Sequence, residues 1–178
     1  MAELNRQWRL ARRPAGAIAP GDLEFTSGPV PHIGPGQALV KNLFLSLDPT
    51  NRIWMSDRDQ YLPPVEIGAV MRGGTIGVVT QSQEPTLPVG SIVAPGLSGW
   101  QEYDVATAGI ARVLPQIPGV PVTAYMSALG LTGWTAYFGL LDIGQPKPGD
   151  TLVVSAAAGA VGSIVGQIGK LKGCRVVG

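Results

Sequence analysis

The chain has 178 residues, of which 25 are glycine and 16 are proline, so the residues that most often interrupt regular structure occur at roughly twice their usual share. This composition excludes a helical bundle. Charged residues make up only 14% and hydrophobic residues 45%, which excludes a disordered tail. The net charge is +1 and no window is densely basic, so we expect no nucleic-acid partner.

Cysteine and histidine occur once each, as Cys174 and His32. An internal disulfide is therefore impossible, and a four-ligand zinc site of the usual Cys and His kind cannot form. We predict no metal site, and a lone cysteine favours a reducing, cytoplasmic setting.

The beginning of the chain gives the first predicted strand. Residues 5–13 are rich in arginine, as transit peptides are, but Glu3 precedes them and Pro14 follows, which favours an edge strand. From there to about residue 120, short apolar runs alternate with glycine and proline clusters, as in a β-barrel or sandwich. The further predicted strands are residues 38–47, 74–80, 91–94, 101–105 and 110–114.

The pattern changes after the proline-rich stretch 115–121. Residues 122–141 combine alanine, leucine, methionine and aromatic residues with few breaks, which predicts helices. We therefore place a domain boundary near residue 125, giving domains 1–125 and 126–178.

The last 28 residues predict one βαβ unit. A strand at 151–155 leads into a turn of small residues at 156–162, a helix at 163–172 closed by Gly173, and a second strand at 174–178 that lies parallel to the first. The uncharged run 151–169 approaches the length of a membrane span, but its four glycines and its strand-like start favour a soluble strand and helix, so we expect no membrane partner.

The turn at 156–162 has the form Ala157-x-Gly159-x-x-Gly162, a relaxed dinucleotide-binding motif. Small residues here let a pyrophosphate approach the backbone amides at the helix N-terminus. The other common phosphate motif, Walker A, is excluded because Ile164 and Leu171 stand where it needs Gly and Ser or Thr. The alternative that the small residues serve only close packing of helix on sheet stays open.

Six separated motifs resemble those of the zinc-independent medium-chain dehydrogenase/reductases, in the group of leukotriene B4 12-hydroxydehydrogenase, prostaglandin reductase and 2-alkenal reductase. They are Asn5-Arg6-Gln7-Trp8, residues 42–49 (NLFLSLDP), residues 70–74 (VMRGG), residues 99–103 (GWQEY), residues 131–137 (LTGWTAY) and residues 154–162 (VSAAAGAVG). The resemblance implies an α/β plus β-barrel fold, in which a GroES-like β-barrel domain (1–125) precedes the first βαβ unit of a Rossmann domain (126–178), with NADPH as cofactor.

The resemblance also implies roles for individual residues. The cofactor pyrophosphate would be bound by Ala158, Gly159, Ala160, Val161 and Gly162, and the nicotinamide by Leu131, Thr132 and Thr135. Tyr61 would line the substrate cleft, although a turn aromatic packed on the barrel rim is an equal alternative. Thr50 departs from the family, which often has tyrosine there, and Asp48 and Arg52 are interpreted as structural. No catalytic residue is assigned.

The reaction implied by the resemblance is NADPH-dependent reduction of the activated C=C bond of an enone or enal, by a homodimer when full length. The chain itself does not decide NADP from NAD, since the selecting group is expected about 20 residues after the glycine motif. Because the family's members are about twice as long, we expect this sequence to be the N-terminal part of a longer chain. The alternatives are a quinone oxidoreductase and a non-catalytic barrel module for binding.

Overall fold

The computed structural model describes residues 3–178. These residues divide into two compact units, one that ends at Pro115 and one from Gln116 to Gly178. The sequence-based boundary near residue 125 lies inside the second unit. Within the described residues, no helix has both the length and the apolar character needed to cross a membrane.

The first unit is built from seven antiparallel strands and one short helix. The strands are β1 (Leu4–Leu10), β2 (Leu23–Pro29), β3 (Gln37–Leu45), β4 (Thr75–Ser82), β5 (Ile92–Ala94), β6 (Tyr103–Thr107) and β7 (Arg112–Val113), and the helix is α1 (Pro49–Trp54). Five strands form one sheet in the order β6-β3-β4-β5-β7, while β1 and β2 form a separate pair. The pairing of β3 with β4 contains two register shifts, which bend and twist a sheet.

Main-chain hydrogen bonds join β1, and with it the β1–β2 pair, to the segments that precede β4 and β6. The Trp8 N–H donates to the Trp100 carbonyl at 2.8 Å, and the Met71 N–H donates to the Trp8 carbonyl at 2.8 Å. The two sheets are thus closed toward each other by main-chain hydrogen bonds, as a barrel requires.

Two apolar clusters form the core of this unit. One lies on the inner face of the large sheet and the other under β1 and α1. The first cluster contains Ala38, Val40, Val79, Leu87, Val93 and Ala106; the second contains Leu10, Trp54, Met55, Val65 and Met71.

The second unit contains helices followed by a βαβ unit. A 3₁₀ helix (Val122–Met126), α2 (Leu131–Phe138) and a π-helical segment (Gly139–Gly144) precede β8 (Thr151–Val153), α3 (Ala160–Leu171) and β9 (Arg175–Val177). Strands β8 and β9 are parallel, with Leu152 opposite Val176. The predicted β-rich part followed by a βαβ unit is confirmed.

The structure differs from the sequence-based elements at four places. Strand β2 and helix α1 were not predicted, and the helical stretch 122–141 is divided into three kinds of helix. Helix α3 begins at Ala160 rather than at residue 163, with Gly159 as its N-cap. The last three residues of the predicted turn, 160–162, therefore form the first turn of the helix.

Candidate cofactor and substrate site

The turn between β8 and α3 is open and lined by small side chains. Ala156 has a positive φ of 49°, which is uncommon outside glycine, and its carbonyl accepts a hydrogen bond from the Gly159 N–H at 2.8 Å. Ala156, Ala158, Gly159 and Ala160 are all exposed. Within residues 156–160, no side chain is longer than a methyl group.

Gly162 allows the first turn of α3 to lie against this segment. A Cβ atom at residue 162 would stand 2.3 Å from the Ala156 carbonyl oxygen and 3.0 Å from the Ala157 Cα. Both neighbours are backbone atoms, so even alanine at this position would displace the turn.

The N-terminus of α3 provides positive electrostatic potential to the same surface. The first amides of an α-helix have no intrahelical acceptor, and the helix dipole adds partial positive charge there. The first turn of α3 contains no acidic side chain that would neutralise this charge. The arrangement suits an anionic group such as a pyrophosphate.

Close packing explains some of the small residues but not all of them. A Cβ at Gly169 would stand 2.5 Å from Leu152 Cδ2, whereas a Cβ at Gly166 would make an ordinary contact of 3.6 Å with Val176 Cγ1. Gly169 thus serves the packing of α3 on the sheet. Ala156, Ala158 and Ala160 are exposed, so the packing alternative leaves these three small residues unexplained.

Helix α2 carries the residues assigned to the nicotinamide. Leu131 is 76% exposed. The Thr132 hydroxyl donates to the Ser127 carbonyl at 3.1 Å, and the Thr135 hydroxyl donates to the Leu131 carbonyl at 2.8 Å. Each hydroxyl proton is therefore used within the chain, and the oxygens remain available as acceptors. Since α2 packs against α3, residues 131–135 and the turn belong to one packed group of elements.

Tyr61 lies in the first unit, on the loop between α1 and β4. Its side chain is 70% exposed, its ring meets Trp54 edge-on with centroids 6.4 Å apart, and its hydroxyl is hydrogen-bonded to the Thr50 hydroxyl. The phenol is thus held by Trp54 and Thr50, and most of its surface is exposed to solvent.

Asp48 and Arg52 make contacts that hold the chain in place. The Asp48 N–H donates to Asn51 Oδ1 at 2.6 Å, at the start of α1. Arg52 Nη2 donates to the carbonyls of Pro14 and Gly16, at 3.0 and 2.7 Å, and thereby fixes α1 to the loop after β1.

The sequence did not reveal that Arg72 packs on Trp54, the aromatic partner of Tyr61. Arg72 stands over the Trp54 ring, 5.4 Å from its centroid, and donates to the Pro63 carbonyl at 2.9 Å. Both Arg72 and Pro63 line a cavity of about 290 Å³, together with Ser98. The only sequence signal was the presence of Arg72 in a family motif, since the cation–π contact joins residues 18 positions apart in sequence.

A half-buried carboxyl group, that of Asp104, lies near one wall of this cavity. The Ser98 and Thr75 hydroxyls are hydrogen-bonded at 2.5 Å. Burial raises the pKa of the nearby Asp104 above its usual range, and hydrogen bonds from Val105 N–H and from Ser98 oppose that shift.

Comparison with known families agrees with this geometry. Residues 6–113 match a family model described as the N-terminal domain of oxidoreductase. The chain belongs to this family, and within it to the zinc-independent medium-chain dehydrogenase/reductases, so the resemblance and the fold class stated from the motifs are confirmed.

Individual relatives narrow the group. The chain is 51% identical to the NADPH-dependent curcumin reductase of Escherichia coli (strain K12), over 98% of this chain and 50% of that protein. It is 39% identical to prostaglandin reductase 1 of Bos taurus, over 97% of this chain and 51% of that protein. Among solved structures it is similar to CurA from Vibrio vulnificus in complex with NADPH, with a TM-score of 0.86 and 48% identity over 96% of this chain and 50% of that one. The chain thus spans about half the length of the relatives that it matches.

Proposed function

We propose that the protein containing this chain is an NADPH-dependent oxidoreductase that reduces the activated C=C bond of α,β-unsaturated ketones or aldehydes, by hydride transfer to the β-carbon. The observation that carries the proposal is the open turn of small residues at the N-terminus of α3. The names of the relatives from Escherichia coli and Vibrio vulnificus support NADPH as the cofactor.

The residues present fit this cofactor. Ala158, Gly159, Ala160, Val161 and Gly162 would bind its pyrophosphate through backbone amides, and Leu131, Thr132 and Thr135 would bind its nicotinamide end. Residues 156–160 carry no side chain larger than a methyl group, which leaves the space that this contact needs. When bound, NADPH supplies the hydride.

Tyr61 would bind the substrate. A phenol that donates a hydrogen bond to the carbonyl oxygen of an enone stabilises the negative charge that develops there when the β-carbon is reduced. Such a donor needs only to be accessible and held in place, and Tyr61 meets both conditions. The resulting enolate is then protonated to the saturated ketone or aldehyde.

Steady-state assays of the whole protein test this function. We expect a simple enone to accelerate the oxidation of NADPH, with the saturated ketone identified by mass spectrometry as the product. A quinone assayed in parallel should be the poorer substrate; if the quinone alone accelerates NADPH oxidation, the protein is a quinone reductase instead.

A thermal-shift measurement separates an enzyme from a binding module. NADPH at 100 times its dissociation constant stabilises the protein that binds it by about 2.7 kcal/mol. No protection by NADPH, together with no turnover of enone or quinone, would contradict the proposed function.

A further inference from the structure

We infer that Thr50 is a positioning residue for Tyr61, whose hydroxyl group holds the phenol so that the phenol proton is directed to the substrate carbonyl oxygen. This inference rests on the proposed function and deepens it. It concerns a residue at which this chain departs from its family.

The Thr50 hydroxyl is itself fixed by the start of α1. The Asp48 N–H donates to Asn51 Oδ1 at 2.6 Å, the Asn51 N–H donates to the Asp48 carbonyl at 2.9 Å, and Asn51 Nδ2 donates to the Arg72 carbonyl at 2.9 Å. Thr50 lies between these anchored residues and is half-buried. The segment that carries the Thr50 hydroxyl is therefore fixed by hydrogen bonds on both sides of Thr50, at Asp48 and at Asn51.

The Tyr61 ring is supported by an aromatic contact. Its edge-on contact is with Trp54, which is 4% exposed, and the Trp54 carbonyl accepts a hydrogen bond from the Val65 N–H at 2.8 Å. The loop that carries Tyr61 is thus closed against α1 by backbone and aromatic contacts. The hydrogen bond between the Thr50 and Tyr61 hydroxyls adds a further constraint, at the phenol oxygen itself.

When a substrate carbonyl accepts the phenol proton, one direction remains for the hydrogen bond between the two hydroxyls, from Thr50 to Tyr61. A phenol is the more acidic partner and the better donor to a carbonyl oxygen, while its own oxygen can accept from Thr50. When Thr50 donates to the Tyr61 oxygen, the phenol proton is free for the substrate. Hydrogen bonds in such a chain polarise one another, which strengthens the outer bond by roughly 10–30%.

Kinetics of variants in the whole protein test this role, with an enone as substrate and NADPH at saturation. Thr50→Val keeps the shape of the side chain and removes its hydroxyl, and we expect it to lower kcat/KM roughly three- to tenfold, the value of one net hydrogen bond. Thr50→Ser should restore activity to near the wild-type level. Thr107→Val, in the exposed end of β6, is the matched control and should behave as wild type.

The double variant distinguishes positioning from a structural role. If Thr50 acts only through the phenol, Thr50→Val should have no further effect in a Tyr61→Phe background, so the two losses are not additive. The loss should lie in kcat more than in KM, because it concerns charge that develops in the transition state.

The results distinguish failure of this inference from failure of the proposed function. An unchanged kcat/KM in Thr50→Val, or an equal loss in the presence and absence of the Tyr61 hydroxyl, overturns the inference while leaving the proposed function standing. Failure of the wild-type protein to reduce any enone removes the proposed function and the inference together. Circular dichroism and thermal unfolding confirm that each variant is folded.

Discussion

At the scale of single residues, the buried amide of Asn5 shows how a polar side chain can hold the barrel together. Asn5 is 1% exposed, its Nδ2 donates to the Tyr103 carbonyl at 2.9 Å, and its Oδ1 accepts from the Tyr103 N–H at 2.9 Å. One side chain thus satisfies both main-chain groups of a residue 98 positions away. An apolar side chain of the same size would leave both groups unpaired in the interior.

We predict that Asn5→Ala destabilises the protein by roughly 2–4 kcal/mol, because it leaves a buried N–H and a buried carbonyl without partners. Urea unfolding followed by tryptophan fluorescence measures the change. The neighbouring Arg6→Ala is the control, since it removes only an exposed ion pair with Glu102 and should cost clearly less. A larger loss for Arg6→Ala than for Asn5→Ala would contradict this account.

At the scale of elements, the local sequence predicted α3 and the parallel strands. The formation of β2 and α1 depends instead on contacts with distant segments of the chain. Strand β2 contains Gly28 and Pro29 and lacks alternation, and it is a strand because it pairs with β1 over its whole length. Helix α1 begins at a proline and has only six residues, too few to be stable in isolation. It is fixed by Arg52 and Asn51, which donate to carbonyls on distant segments.

Two glycines of α3 give a paired prediction. Gly162→Ala would place a methyl group 2.3 Å from the Ala156 carbonyl oxygen. We expect a loss of about 1–3 kcal/mol and weaker protection by NADPH, because the turn must move. Gly166→Ala meets only an ordinary contact with Val176, so it should be neutral or more stable by up to about 1 kcal/mol.

Thermal shifts of both variants with and without NADPH check this pair. Equal loss of cofactor protection in both would show that the turn geometry does not matter for binding. Loss of stability in Gly166→Ala would show instead that the packing of α3 on the sheet is tighter than the contact distances indicate.

At the scale of the whole molecule, the sequence predicted the residues of the candidate cofactor turn but not the contacts of Tyr61. The turn at 158–162 follows from local spacing, since strand, small residues and helix are consecutive. The hydrogen bond between Thr50 and Tyr61 depends instead on the path of the loop between α1 and β4, which brings Tyr61 back to α1. No local sequence pattern predicts that path. The surroundings of Arg72 depend in the same way on tertiary packing.

Apolar side chains of the second unit are exposed to water. The sheet of this unit has two strands. Ile143 in the π-helical segment is 84% exposed, Val153 in β8 is 74% exposed and Leu171 in α3 is 87% exposed. A two-stranded sheet with uncovered apolar faces is marginal in water.

We therefore predict that residues 1–178 expressed alone do not couple NADPH oxidation to enone reduction, whereas the whole protein does. The expected reason is that the turn at the N-terminus of α3 is not held rigidly by so small a sheet, so the cofactor contact is lost. Assay of both proteins under the same conditions measures the difference, and binding of a fluorescent apolar dye should be greater for residues 1–178. Unfolding of β1–β7 at a similar urea concentration in both proteins would show that the first unit is intact in each. Equal turnover by the two would mean that the first βαβ unit suffices to bind NADPH productively.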